Sequence, residues 1–223
     1  LFLSAYILVV MYYREAAYVS SLRHFEPSLL GLGVFLFVWA LVSEYAPDGW
    51  YKAALDRSFL LIGIFLIAFV LYGHVATWVD WVHKGRYEYW NVLAEQFVNG
   101  KLYIPDPSKP GLAHDLTLYQ GKWYVPNPPI PAVILMPLML FVKAQDIHMG
   151  DVSMFFSALN VLFVFLILEQ FIKRQWIKIS QGTALWLVVL FGFGTNHLWV
   201  GINGGVWFVS QILTVTFLAF SIL

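Results

Sequence analysis

The sequence predicts an all-α polytopic membrane protein, and three observations support this prediction. Hydrophobic residues make up 60% of the chain and charged residues 12%, against roughly 45–50% and 25% in ordinary soluble domains. The apolar residues are gathered into runs, several of which approach the length of about 20 residues that a helix needs to cross a bilayer. Only one long polar segment, residues 80–151, interrupts these runs.

The N-terminal residues 1–58 are predicted to form a transmembrane hairpin. Residues 1–13 are expected to be the end of one span and residues 27–42 a second, shorter span, with mixed-charge loops at 14–26 and 43–57. The chain starts and stops inside apolar runs without an initiator Met, so we expect it to be a fragment of a longer protein.

The second predicted domain, residues 59–223, holds four further spans, at residues 59–79, 152–172, 183–200 and 206–223. The loop at 173–178 has three basic residues and no acid, which predicts a cytoplasmic position. Residues 80–151 carry six Lys and Arg against seven Asp and Glu, so we place them outside the cytoplasm. The apolar residues 130–142 are too few for a span and include Pro137, which predicts a re-entrant segment.

The outer segment is predicted to contain a helix that lies on the membrane surface. Residues 88–99 place Trp90, Leu93, Ala94 and Phe97 at helical spacing on one face, and Gly100 follows as a stop. We expect the aromatic face to point into the membrane. The residues expected to face water are Glu88, Asn91 and Glu95.

A small hairpin is predicted further along the outer segment. Residues 116–119 and 122–125 are short apolar and aromatic runs, and Gln120 and Gly121 separate them. A two-residue connection containing Gly is typical of a tight β-turn.

Four sequence blocks, in this order, resemble a known group of enzymes. They are residues 89–102, residues 115–132 with the stretch Pro126-Asn-Pro-Pro-Ile-Pro131, residues 157–162, and Leu190-Phe-Gly-Phe-Gly-Thr-Asn-His197. From about Phe59 onward the chain is similar to bacterial GT-C-type membrane glycosyltransferases, relatives of protein O-mannosyltransferases and aminoarabinose transferases. The resemblance implies a GT-C-like helix bundle with one long extracytoplasmic loop.

The same resemblance implies transfer of a sugar from a polyprenyl-phosphate donor to an acceptor at the outer face of a bacterial inner membrane, without a further cofactor. The family carries an acidic residue early in the first outer loop. Here that place is filled by Arg86 and Tyr87, with Glu88 adjacent and Asp80 upstream. Either Glu88 substitutes, or the site works differently, or this chain is inactive.

The predicted site therefore has three groups of residues. Glu88 or Asp80 is the catalytic base, and Arg86 and Lys84 bind the donor phosphate, because guanidinium and ammonium groups pair well with phosphate oxygens. Asp115, Asn196 and His197 are predicted to line the cavity. The competing structural roles are a charge at a helix N-terminus for Glu88, an interfacial charge for Asp80, and interfacial snorkelling for the two cations.

Other functions are excluded or ranked lower. The net charge is zero and no Lys- or Arg-rich tract exists, which excludes nucleic-acid binding. The chain has no cysteine and its six histidines lack metal-ligand spacing, so we predict no metal site. A non-catalytic subunit or scaffold of a membrane complex remains the alternative function. A transporter ranks last, since His74 and Glu169 lie toward the ends of predicted spans.

Overall fold

The computed structural model describes residues 26–47, 49–78, 89–105 and 115–223. These residues are mostly helical, with eight α-helices and one two-stranded sheet. The helices belong to two compact units that divide near residue 80. The predicted span at residues 1–13 lies outside the described residues, and the predicted domain boundary at residue 58 stays a prediction.

The described residues of the first unit form a pair of helices, α1 (Glu26–Tyr45) and α2 (Trp50–Trp78). Leu29 at the start of α1 packs against Val70 in the second half of α2, so the two helices run antiparallel. The apolar side chains of both helices meet along this contact, which removes them from water or lipid.

The predicted polar loop at residues 43–57 is wrong in its extent. α1 continues to Tyr45 and α2 begins at Trp50, so only residues 46–49 connect them. The Ser43 hydroxyl donates a hydrogen bond of 3.1 Å to Asp56 Oδ1. Ser43 and Asp56 are therefore parts of the two helices and join them by a hydrogen bond. Polar residues in this stretch do not mark the end of a helix.

Four helices form the body of the second unit: α5 (Met149–Lys173), α6 (Gln181–Gly194), α7 (Asn196–Gly201) and α8 (Val206–Ile222). α5 lies at the centre and packs against the other three, most extensively against α8. The helices predicted at residues 152–172 and 206–223 are confirmed as α5 and α8.

The segment predicted as a span at residues 183–200 is not one continuous helix, because it is interrupted at Thr195. This residue has an extended backbone, with φ −117° and ψ 177°. Its hydroxyl donates to the Phe191 carbonyl at 2.7 Å and accepts from the His197 N–H at 3.2 Å. One side chain therefore closes α6 and caps α7.

The helix predicted at residues 88–99 is confirmed as α3 (Trp90–Val98), but its surroundings differ from the prediction. Its aromatic face is buried inside the protein rather than directed toward lipid. Asn91, predicted to face water, is also buried, and its Nδ2 donates to the Ala144 and Ile147 carbonyls at 3.0 and 3.1 Å. The buried cluster around α3 comprises Tyr89, Trp90, Leu93, Ala94, Ile104, Ala132, Leu135, Met149, Val206, Val209 and Leu213.

The predicted hairpin is confirmed as strands β1 (Thr117–Tyr119) and β2 (Lys122–Tyr124). Gln120 and Gly121 both have positive φ, 48° and 73°. A two-residue turn with two positive φ angles has the twist that antiparallel strands favour. The hairpin's inner side packs on the buried cluster around α3 through Trp123.

The apolar residues 130–142 form the short helix α4 (Ile130–Leu135) and a 3₁₀ turn, Leu138–Leu140. A second 3₁₀ turn, Ala144–Asp146, follows. Six residues rise only about 9 Å along a helix axis. The stretch is therefore too short and too interrupted to be one spanning helix, and its predicted re-entrant position stays a prediction.

Within the described ranges, two helical stretches are long and apolar enough to cross a membrane, Tyr51–Ala76 within α2 and all of α5. In the most apolar part of each stretch, only 33% of the first and 39% of the second is buried inside the protein. A core helix of a soluble protein is mostly buried, whereas these helices expose apolar side chains to their surroundings. Their length and exposed apolar surface indicate membrane association.

Candidate functional site

The structure describes three of the seven predicted site residues, Asp115, Asn196 and His197. Both proposed bases and both proposed phosphate ligands lie outside the described residues: Asp80, Lys84, Arg86 and Glu88. The described part of the site therefore consists of its expected cavity lining.

Asp115 precedes strand β1 and is partly buried. The next residue, Leu116, packs on the buried cluster around α3, which fixes the start of the hairpin. Among the described residues, no hydrogen bond joins Asp115 to Asn196 or His197. Asp115 and the histidine thus occupy different parts of the second unit's framework, the hairpin and the interrupted helix.

His197 lies in the first turn of α7 and is half-buried, while its neighbour Asn196 is exposed. The His197 ring contacts the Phe191 ring, with centroids 4.5 Å apart. The Thr195 hydroxyl bonds to the Phe191 carbonyl and to the His197 N–H, so it holds the backbone of both ring residues. The interruption between α6 and α7 therefore positions the histidine side chain.

The key partner of His197 is Asn160, a fully buried residue in the middle of α5. Asn160 Nδ2 lies 3.3 Å from His197 Nε2 and donates to the Ile212 carbonyl of α8 at 3.1 Å. An amide nitrogen is only a donor, so Nε2 must accept, and a neutral ring then carries its proton on Nδ1. Asn160 thereby links α5, α7 and α8, and it favours the neutral His197 tautomer that carries its proton on Nδ1.

Asn160 belongs to a polar stripe on α5 that also contains Ser153 and Ser157. These residues follow at intervals of four and three positions, which places them on one helix face. All three side chains are buried. Ser153 Oγ, Ser157 Oγ and Asn160 Oδ1 have no hydrogen-bond partner among the described residues.

The sequence alone predicts no role for the polar stripe, although Ser157 and Asn160 fall within one of the resemblance blocks. The available signal was polar residues recurring at helical spacing inside an apolar run. Polar groups inside a membrane helix are costly unless they face other polar groups, so such spacing indicates a site or a helix contact.

The site can form neutral hydrogen bonds and exchange a proton at the imidazole. Its hydroxyl, amide and imidazole groups can each take part in neutral hydrogen bonds. Within the described ranges, no group of three or more His, Asp or Glu side chains is arranged to hold a metal ion.

Comparison of the chain with family models, with curated proteins and with solved structures gives no match.

Proposed function

We propose that this chain is a membrane-embedded glycosyltransferase that moves a sugar from a polyprenyl-phosphate donor to an acceptor at the outer face of a bacterial inner membrane. The sequence blocks that resemble GT-C enzymes supply the reaction class. The apolar helices of both units suit an enzyme whose donor is a lipid.

The observation that carries this proposal is the anchoring of the polar segment on the helices. Tyr89 and Trp90 are fully buried, and Trp90 Nε1 donates to the Val206 carbonyl at the start of α8 over 3.2 Å. Glu88 is the residue immediately before this anchor in the sequence. We propose that a carboxylate one residue before this buried pair orients the acceptor.

The histidine site is bonded to the same helix, α8. Trp90 bonds to Val206 and Asn160 bonds to Ile212, six residues further along the helix. Six residues correspond to about 9 Å of rise. We therefore propose that Glu88 and His197 act on the same bound donor.

The proposed reaction assigns one step to each group. The acceptor oxygen attacks the anomeric carbon, and its proton passes to the carboxylate of Glu88 or Asp80. The bond from that carbon to the phosphate oxygen breaks, and polyprenyl phosphate leaves with the bonding electrons. Arg86 or Lys84 stabilises the charge on the leaving phosphate.

The first test is native mass spectrometry of the full-length protein extracted in mild detergent. We expect wild-type protein to retain a polyprenyl-phosphate sugar, and Arg86→Ala to lose most of it. Lys101→Ala is the matched control, because it removes an exposed cation from the same polar segment. Retention by Arg86→Ala, or equal loss in the control, would rule out the proposed phosphate site.

The second test measures transfer itself in membranes that contain the lipid donor. Glu88→Gln and Asp80→Asn are expected to reduce transfer at least about 100-fold for whichever acid is the base. Glu95→Gln, in the neighbouring helix, is the control carboxylate. Full transfer by both variants would remove the proposed base.

A non-catalytic subunit is the second candidate function, and the departure from the family at Arg86 and Tyr87 favours it. This role predicts stoichiometric partner subunits after purification and no bound lipid sugar. That combination of results would replace the transferase proposal.

A further inference from the structure

The connection between α5 and α6 forms a fixed turn that presents three cations. We define residues 173–178 as the basic loop. α5 ends at Lys173, and Gln175 turns the chain with a left-handed φ of 57°. Backbone bonds from Gln175 N–H to Ile172 O and from Trp176 N–H to Phe171 O, both 3.0 Å, close the helix end.

The side chains of the basic loop face outward. Lys173, Arg174, Trp176 and Lys178 are exposed, and the Trp176 side chain has 63% of its surface accessible. The Arg174 guanidinium carbon lies 5.2 Å from the centroid of the Trp176 ring. This contact fixes the direction of the arginine while its N–H groups remain available.

Stabilisation of a helix end accounts for two of the three cations in the basic loop. Lys173 and Arg174 lie at the C-terminus of α5, where the helix dipole favours cations. Lys178 instead precedes Ser180, the N-cap of α6. A cation is disfavoured at a helix N-terminus, so the third charge has no local structural benefit.

The position of the loop supplies a reason for all three charges. α5 is long enough to cross a bilayer, and residues just beyond the end of a spanning helix lie at the depth of lipid headgroups. An exposed tryptophan is typical of that depth. Anionic phospholipids place phosphate groups there and attract basic residues that adjoin a membrane helix.

We propose that the basic loop binds the phosphate groups of anionic phospholipids. Arg174, oriented by Trp176, is the main phosphate ligand, and Lys173 and Lys178 extend the positive surface on either side. The loop contains no carboxylate to neutralise them. This role is independent of the proposed sugar transfer.

The test titrates the purified full chain with phosphatidylglycerol and with phosphatidylcholine of the same acyl chains, followed by native mass spectrometry. Wild-type protein is expected to prefer phosphatidylglycerol. Lys173→Gln/Arg174→Gln/Lys178→Gln should lower that preference by at least about tenfold, given roughly fivefold for each cation near an anionic surface. Higher salt should weaken the wild-type preference.

The matched control is Lys101→Gln/Lys122→Gln/Lys143→Gln, which changes the net charge equally at three exposed positions outside the loop. It should keep the wild-type preference. Arg174→Gln alone should lower the preference measurably and guards against misfolding of the triple variant. An unchanged preference in the loop variants, or an equal loss in the control, would overturn the proposal.

Discussion

At the scale of single residues, Asn160 joins three helices of the second unit through one amide group. Its amide nitrogen bonds to His197 and to the Ile212 carbonyl, and it is fully buried. We expect Asn160→Ala to lower the free energy of unfolding by about 1 kcal/mol, because hydrogen bonds between membrane helices contribute about 0.6 kcal/mol on average and up to about 1.7. Denaturant unfolding in detergent, followed by circular dichroism, measures this change.

Thr214→Ala is the control for Asn160→Ala. Thr214 Oγ1 donates to the Ser210 carbonyl within its own helix at 2.8 Å, and the residue is exposed. Its loss should change the unfolding free energy by less than about 0.5 kcal/mol. If both variants unfold like the wild type, the Asn160 bonds do not hold the three helices together.

Individual residues also show which predictions the sequence permits. His197 was recognisable as a polar residue near the end of an apolar run. Its partner Asn160 lies 37 positions away, in another helix. Spacing within one helix predicts a shared face, but it does not identify the side chain that faces it. The pairing therefore required the packed structure.

At the scale of helices, the close contact between the start of α5 and the turn before α8 depends on Gly204. A Cβ on Gly204 would lie 2.7 Å from the Met149 carbonyl carbon and would also overlap the Gly150 backbone nitrogen. Backbone atoms cannot move aside as a side chain can, so Gly204→Ala must separate the two segments. We expect a loss of about 1–3 kcal/mol of stability, typical of overpacking.

Gly150→Ala is the matched variant for Gly204→Ala. A Cβ on Gly150 meets no atom within 4 Å, although Gly150 lies in the same contact. Alanine is the better helix former by up to about 1 kcal/mol. This variant should unfold at the same or higher denaturant concentration than the wild type. Equal destabilisation by both changes would contradict the proposed steric cause.

The positions of the helices were partly predictable from the sequence, but their surroundings were not. Helical period correctly indicated α3, but an apolar face looks the same in sequence whether it packs on protein or on lipid. The structure buries that face under α4 and α8. The interruption at Thr195 was equally hidden, because threonine is accepted inside apolar helices and only the bonds to Phe191 and His197 reveal the cap.

At the scale of the whole molecule, composition predicts a membrane protein, and local sequence correctly predicts the hairpin and the interruption of the apolar residues 130–142. The predicted orientation of the chain across the membrane depends on the difference in charge between the basic loop and the near-neutral segment before α5. Between Gln120 in the hairpin turn and Gln175 in the basic loop, α5 is the single helix long enough to span. Its 25 residues rise about 37 Å, more than the roughly 30 Å of a hydrocarbon core.

We therefore predict that Gln120→Cys and Gln175→Cys react with a membrane-impermeant maleimide from opposite sides. The chain has no native cysteine, so each variant reports a single exposed position. Gln120→Cys, and Lys101→Cys as its matched control, should be labelled on intact bacterial cells, and Gln175→Cys only after permeabilisation. Labelling of both loops from one side would mean that α5 does not cross the membrane. Labelling in the reversed order would leave α5 as a span but would put the hairpin in the cytoplasm, which is incompatible with sugar transfer at the outer face.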